Sequence, residues 1–358
     1  MQWFSETVPE ADALFAGAAE RAGAAMLDFP HPLPDPRGAA IGTRCAWVGP
    51  EDAARVIVVV SGTHGIEGHP GAAIQSTWLA RGGREWRRPG TALLMVHLIN
   101  PWGCAWSRRE DHENIDVFRN LVYDAPPFRA NAVYDTYEEG INPRAWEGPL
   151  RERADRIFAE LVERHGREGA IAAIRRGQHR HPLGLTYHGA GPSWSCRTVD
   201  AIGERFLARA AQVDVLDIHT GFGEFGEAMI ISCEPPGSDN ACWVDERFAA
   251  MLYRWGQVGM IPEHPRGPYH RWERIAGAGR VRNFGLEYGT LDMDARFDTF
   301  RANHFIHTRG DLRTPFARAT MRAFRDAYYP ADQGWRARAL ETGLAVIDRT
   351  IGDETSPY

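Results

Sequence analysis

His64 stands three positions before Glu67 in SGTHGIEGHPG (61–71), and His219 closes the apolar run of VDVLDIHTGFG (213–223). Two imidazoles and one carboxylate form a donor set that can hold a zinc ion with one position left open. Zinc lowers the pKa of a water in that position to about 7. An HxxE pair alone says little, because the chain contains three: His64 with Glu67, His165 with Glu168, and His270 with Glu273. The second ends an amphipathic stretch, where a solvated pair is the ordinary reading. The third has neither a preceding strand nor glycines. Only the first follows a buried-looking run, RVIVVV (55–60), and lies among glycines that permit φ > 0 and close backbone approach. A lone histidine at the end of a strand reads as a hydrogen-bonded core residue. Taken with His64 and Glu67, His219 completes a His₂Glu set.

Such a centre needs a base, a cation for developing negative charge and an anchor for the substrate. FGLEYGT (284–290) offers Glu287 in an apolar run, a setting that raises a carboxyl pKa toward the useful range. SRREDHENIDVFRN (107–120) supplies Arg108, Arg109 and Arg119. Asp116 in the same stretch is placed to hold a ligand imidazole by its second N–H. Alone, each of these has an ordinary reading, a solvent-facing strand glutamate or a charged loop.

These residues must be brought together by elements that the sequence also suggests. RVIVVV (55–60), TALLMVHLI (91–99), VDVLDIH (213–219) and AMIIS (228–232) read as buried strands, and GAAIQSTWLARG (71–82) as a helix between the first two. That is a β-α-β unit, which predicts an α/β fold with a mixed, mainly parallel twisted sheet and helices on both faces. Ligands then bind outside the C-terminal ends of the strands. SGTHGIE, INPWG and IHTGFG each follow a strand end and can share one crevice. Residues 121–190 break the pattern with Pro126, Pro127, Asn142-Pro143 and Gly148-Pro149 before an amphipathic run, RERADRIFAELVERHG. They read as a partly helical insertion in a single domain spanning 1–358. It either lies over the crevice or is a surface helix pair.

Composition narrows the function further. All 41 cationic Lys+Arg residues among the 358 are arginine, so P-loop and lysine Schiff-base chemistry are excluded. A net charge of −6 speaks against nucleic acid as a partner. No apolar run approaches a membrane span. Five cysteines without a CxxC, and no recognisable signal segment, suit a reducing cytoplasmic setting. No G-x-S-x-G elbow marks a serine hydrolase.

The order HxxE, NPxG, an arginine loop ending in D-x-x-R-N, a strand histidine and a late strand glutamate resembles the zinc carboxypeptidase superfamily over about residues 45–310. SGTHGIEGHPGAAIQ, INPWGCAW, LDIHTGFG and FRANHFIHTRGD look most like an uncharacterised bacterial, metallopeptidase-like subgroup, and GTHGxE resembles the aspartoacylase and succinylglutamate desuccinylase branch. The resemblance implies one zinc per chain on His64, Glu67 and His219, and Glu287 as base and proton shuttle. It implies Arg109 at the oxyanion, Asp116 behind a ligand imidazole, Arg119 on a substrate carboxylate and Tyr269 as a capping tyrosine. One departure stands out: Phe118 occupies the place of an asparagine that binds the substrate carboxylate. Arg119 then acts alone, Asn114 or Asn120 helps, or the anchor is different. The expected activity is hydrolysis of an amide bond in a small-molecule or peptide-like substrate, an N-acyl amino acid or short peptide. The alternatives are a peptide carboxypeptidase or a non-catalytic zinc- or ligand-binding protein. Oligomeric state is left open.

Overall fold

The computed structural model describes residues 2–82, 86, 88–122, 130–232, 234–254, 270–276, 279–290 and 293–352. Eight strands among them form one sheet: β1 (Ala25–Pro30), β2 (Gly42–Val48), β3 (Arg55–Ser61), β4 (Thr91–His97), β5 (Gln212–Thr220), β6 (Ala228–Ser232), β7 (Leu252–Arg254) and β8 (Arg280–Tyr288). Their order is β1-β2-β4-β3-β5-β8-β6-β7. The four central strands, β4, β3, β5 and β8, are parallel. The flanks are antiparallel, β2 to β4 and β1 on one side and β6 to β8 on the other, with β7 parallel to β6. This is the mixed sheet with a parallel centre that the apolar runs predict.

A strand in the middle of such a sheet is buried on both faces, so it reads as a continuous apolar run. β3 is the example. Val56, Val58 and Val60 pack on one face with Cys196, Val199 and Ile202 of the Trp194–Phe206 helix. Ile57 and Val59 pack on the other with Phe15, Ile74 and Val346, which come from the Val8–Ala22, Gly68–Gly82 and Gln333–Ile351 helices. Each such side chain contributes about 1.5–3 kcal/mol by its burial. Two apolar layers therefore hold the strand ends at fixed heights above one another.

A third apolar cluster lies at the C-terminal end of the sheet. Ile66, from the loop after β3, packs with Tyr134, Tyr137, Leu161 and Ile174 of the 121–190 segment, and with Phe324. That segment carries the Ala132–Ile141 and Gly148–Arg176 helices, the second interrupted at Gly166, where φ is +70°. Among the described residues no helix is long and apolar enough to cross a membrane.

Candidate metal centre and active site

β3 ends at Ser61, and the chain turns through 62–64 into a short 3₁₀ turn, Gly65–Glu67. Gly65 is fixed by close approach: a Cβ there would lie 2.3 Å from the Gly103 carbonyl carbon, so only glycine fits. The turn is also tied to the arginine loop, since Gly65 N–H donates to the Arg109 carbonyl (3.0 Å) and Ile66 N–H to the Arg108 carbonyl (2.8 Å). The loop bearing His64 and Glu67 and the loop bearing Arg109 are thus one hydrogen-bonded unit.

β5 runs beside β3 and delivers His219 to the same place. His64, Glu67 and His219 are all buried, and a ligating atom of each lies within 4.8 Å of those of the other two. Both imidazoles turn Nδ1 toward Glu67. His64 Nδ1 is 3.0 Å from Oε1, and His219 Nδ1 is 3.0 Å from Oε2. His64 Nδ1 has no hydrogen bond, although it is buried. Two Nδ1 atoms converging on a carboxylate that burial alone would leave protonated, but that the imidazoles hold well below its usual range, fit a divalent cation.

The opposite ring nitrogens face carboxylates. Asp116 Oδ1 is 3.4 Å from His64 Nε2, and Asp217 Oδ2 is 3.0 Å from His219 Nε2. At His219 that arrangement presents the Nδ1 lone pair to a metal. Asp217 belongs to no motif named above, though D-x-H in a strand is a legible signal: residues i and i+2 share a face. Thr63 Oγ1 donates to both oxygens of Asp217 at 3.0 Å and fixes it.

Glu287 is the register partner of His219 on β8. Its Oε1 accepts the Phe222 N–H at 2.9 Å. Burial, reinforced by the nearby Glu67 charge, pushes its carboxyl up to about 7. Asp116, by contrast, is held well below the usual carboxylate range. Burial acts to raise it, but the guanidiniums of Arg109 and Arg119 both bind its Oδ2 and outweigh that effect. Arg109 also reaches His64 Nε2 at 2.5 Å.

One crevice with about 130 Å³ of space is lined by His64, Glu67, His219, Glu287, Arg109 and Arg119. Phe118 lines it too, with ring centroids 5.5 Å from His64 and 5.2 Å from His219. The residue that departs from the expected polar position therefore braces both imidazoles. The 121–190 segment adds Ile171, Ile174, Arg175 and Thr186 to the wall. Arg175, unmarked by any motif, was not singled out from sequence.

Two expected substrate contacts stand differently. Asn120 is fully buried and is not among the lining residues. Its Nδ2 donates to the His188 and Gly191 carbonyls and its Oδ1 accepts from Ser193 N–H, so its amide clamps the 188–193 loop rather than a substrate. Asn114 is likewise consumed, between Arg108 and the Pro182 and Gly184 carbonyls. Tyr269 lies outside the described residues. Of the other HxxE pairs, His165 and Glu168 sit in the Gly148–Arg176 helix and His270 and Glu273 in the His270–Ile275 helix.

The chain belongs to the family described as "Protein of unknown function (DUF2817)", which matches residues 4–342. No curated protein matches it. Among solved structures it is similar to carboxypeptidase A from Helicoverpa armigera, at 12% identity over 90% of this chain and 74% of that one, with a TM-score of 0.45. It is also similar to a murein-tripeptide amidase from Escherichia coli O157, at 14% identity over 87% and 97% of the two chains, with a TM-score of 0.35. A third likeness is to a succinylglutamate desuccinylase from Silicibacter, at 11% identity over 80% and 67%, with a TM-score of 0.36.

Proposed function

We propose that the chain is a zinc-dependent hydrolase, with one zinc per chain, that cleaves an amide bond in a small carboxylate-bearing substrate such as an N-acyl amino acid or short peptide. The carrying observation is the pair of Nδ1 atoms converging on Glu67, with Asp116 and Asp217 behind them and Glu287 beside His219. A bound zinc supplies Lewis-acid activation of water and of the substrate carbonyl. The chain's own residues do the rest. Glu287, raised to about 7 and steadied by Phe222 N–H, takes the proton of the attacking water at a carboxylate oxygen and returns it to the leaving amine. Arg109 meets the negative charge on the carbonyl oxygen. Arg119 holds the substrate carboxylate against apolar walls that exclude water. A protein that only binds zinc has no use for a base held near neutrality at the metal's edge, and this favours catalysis.

The test is metal content of the protein purified without chelator, with His64→Ala and Glu287→Gln alongside. The expected result is about one zinc per chain in the wild type and in Glu287→Gln, and loss in His64→Ala. Turnover of N-acyl amino acids or dipeptides is expected only in the wild type. Absence of zinc from wild-type protein incubated with it refutes the centre.

A further inference from the structure

A second cavity, with about 310 Å³ of space, shares no lining residue with the metal crevice. It is bounded by residues 6–8, the 35–37 loop, residues 104–107 and the Pro315–Tyr328 helix. Its volume lies at the lower end of the range that small-molecule pockets occupy, about 300–1,000 Å³.

One lining residue, His69, is deeply buried and stands two residues after Glu67 in the Gly68–Gly82 helix. The Tyr329 ring stacks on its imidazole, with centroids 5.2 Å apart and 13° between the planes, and Ser5 Oγ lies 3.0 Å from Nδ1. Among the described residues Nε2 has no hydrogen-bond partner. A Ser5 hydroxyl that donates to Nδ1 leaves the ring proton on Nε2 and makes that atom a donor. A buried donor of this kind costs free energy until a ligand or a water meets it.

Three guanidiniums line the cavity against two carboxylates, in a chain whose net charge is −6. Both carboxylates are committed. Glu6 pairs with Arg325, and Asp35 Oδ1 accepts the Arg37 and Ala39 N–H groups at 2.9 and 2.7 Å, so it closes its own loop. Arg37 and Arg322 differ from Arg325. Both are exposed, and among the described residues neither guanidinium makes an ion pair or a hydrogen bond. Arg322 shares a helix face with Arg325, three residues on, whereas Arg37 comes from a separate loop. Each presents a planar fork that matches a carboxylate. Val8, Cys104 and Met321 add apolar surface to the same cavity.

We propose that this cavity is a second binding site, for a small organic dicarboxylate. Arg37 and Arg322 each fork onto one carboxylate, the methylene chain covers Val8, Cys104 and Met321, and His69 Nε2–H donates to a carboxylate oxygen. The site stands whether or not the metal crevice hydrolyses amides. It is linked to that crevice through shared elements. His69 follows the metal turn, and the helix bearing Arg322 ends at Tyr328, a crevice residue whose carbonyl accepts from Thr220 Oγ1 at 2.7 Å. A dicarboxylate held between His69 and Arg322 ties the metal turn to that helix.

The experiment titrates glutarate, butyrate and inorganic phosphate calorimetrically into the zinc-incubated full-length protein, and into its Arg37→Ala, Arg322→Ala and doubly substituted variants. Neither substitution removes a side-chain contact that the fold uses, so melting temperature and zinc content are expected to match wild type. Glutarate is expected to bind wild type at least about tenfold tighter than butyrate or phosphate, and each single variant to lose about tenfold for glutarate. The double variant is expected to treat glutarate and butyrate alike. Glutarate binding that survives both substitutions places the ligand elsewhere, the metal centre included, and overturns the proposal. Phosphate bound as tightly as glutarate overturns the dicarboxylate assignment, and absence of glutarate binding to the wild type overturns the site.

Discussion

Asp217 is not among the residues lining the crevice, yet it faces Nε2 of His219 at 3.0 Å and so orients Nδ1. Replacing it by Ala frees the imidazole to rotate and to change tautomer, so zinc affinity is expected to fall about 10–100-fold, read by competition with a chromogenic chelator. Arg109→Ala is expected to lower kcat about 10²–10³-fold on whichever amide is turned over, while zinc content is retained. Asp111 tests a different property. It is buried, its Oδ1 accepts the Glu113 and Ile115 N–H groups, and its Oδ2 has no hydrogen-bond partner among the described residues. Burial pushes its carboxyl from 3.8 up to about 7. In the folded protein it therefore keeps its proton where the unfolded chain has lost it. Its contribution to stability falls as pH rises from about 4 to about 7, and is lost above that. Asp111→Asn lacks this slope. Urea unfolding at pH 5 and pH 8 is expected to show the variant gaining about 1–3 kcal/mol relative to wild type over that interval. At this scale the His64, Glu67 and His219 cluster was legible because histidine and glutamate in fixed order at strand ends are an uncommon pattern. Arg175 was not, because one arginine in a helix rich in arginine and glutamate carries no local sign of facing a crevice.

The elements were readable where their burial is complete and their signals are local. β3, β4, β5 and β6 follow from apolar runs, and the first helix after β3 from the spacing between two of them. The sequence predicts a partly helical 121–190 segment, but its break at Gly166 and its contact with Ile66 come from tertiary packing that no periodicity encodes. The turn bearing His64 and Glu67 shows how an element transmits packing to chemistry. Its Gly65 lies against the Gly103 backbone, and its N–H groups are bonded to the arginine loop. Gly65→Ala forces a methyl group into that contact. The expected cost is about 1–3 kcal/mol of stability, seen as a lower urea midpoint, together with loss of zinc, because His64 and Glu67 move with the turn. Gly82→Ala, at a helix end where a Cβ meets nothing within 4 Å among the described residues, is the control and is expected to change neither.

Across the whole molecule, strand order is what the sequence conceals, since β8 pairs with β5 some 68 residues earlier and with β6 in the opposite sense. Those pairings arise from the two apolar layers closing around the sheet, a non-local event. They also set Glu287 beside His219, so the proposed base is positioned by the sheet. That gives a prediction for the entire fold. Zinc that binds the native chain and not the unfolded one adds RT ln(1 + [Zn]/Kd) to stability, about 4 kcal/mol at a thousandfold excess over Kd. Each kcal/mol moves the melting temperature of a chain somewhat smaller than this by about 2–4 °C, so a rise of several degrees is expected on adding zinc to chelator-stripped protein. The variants should rank by what each side chain does for the ion. His219→Ala should show no rise, because one of three ligands is gone. Asp217→Ala should show a reduced rise, because the ligand remains but is poorly held. Glu287→Gln should keep the full rise, because a base on the neighbouring strand contributes proton transfer and no metal bond. A Glu287→Gln protein that loses the rise with His219→Ala would place Glu287 among the ligands and require another group as the base.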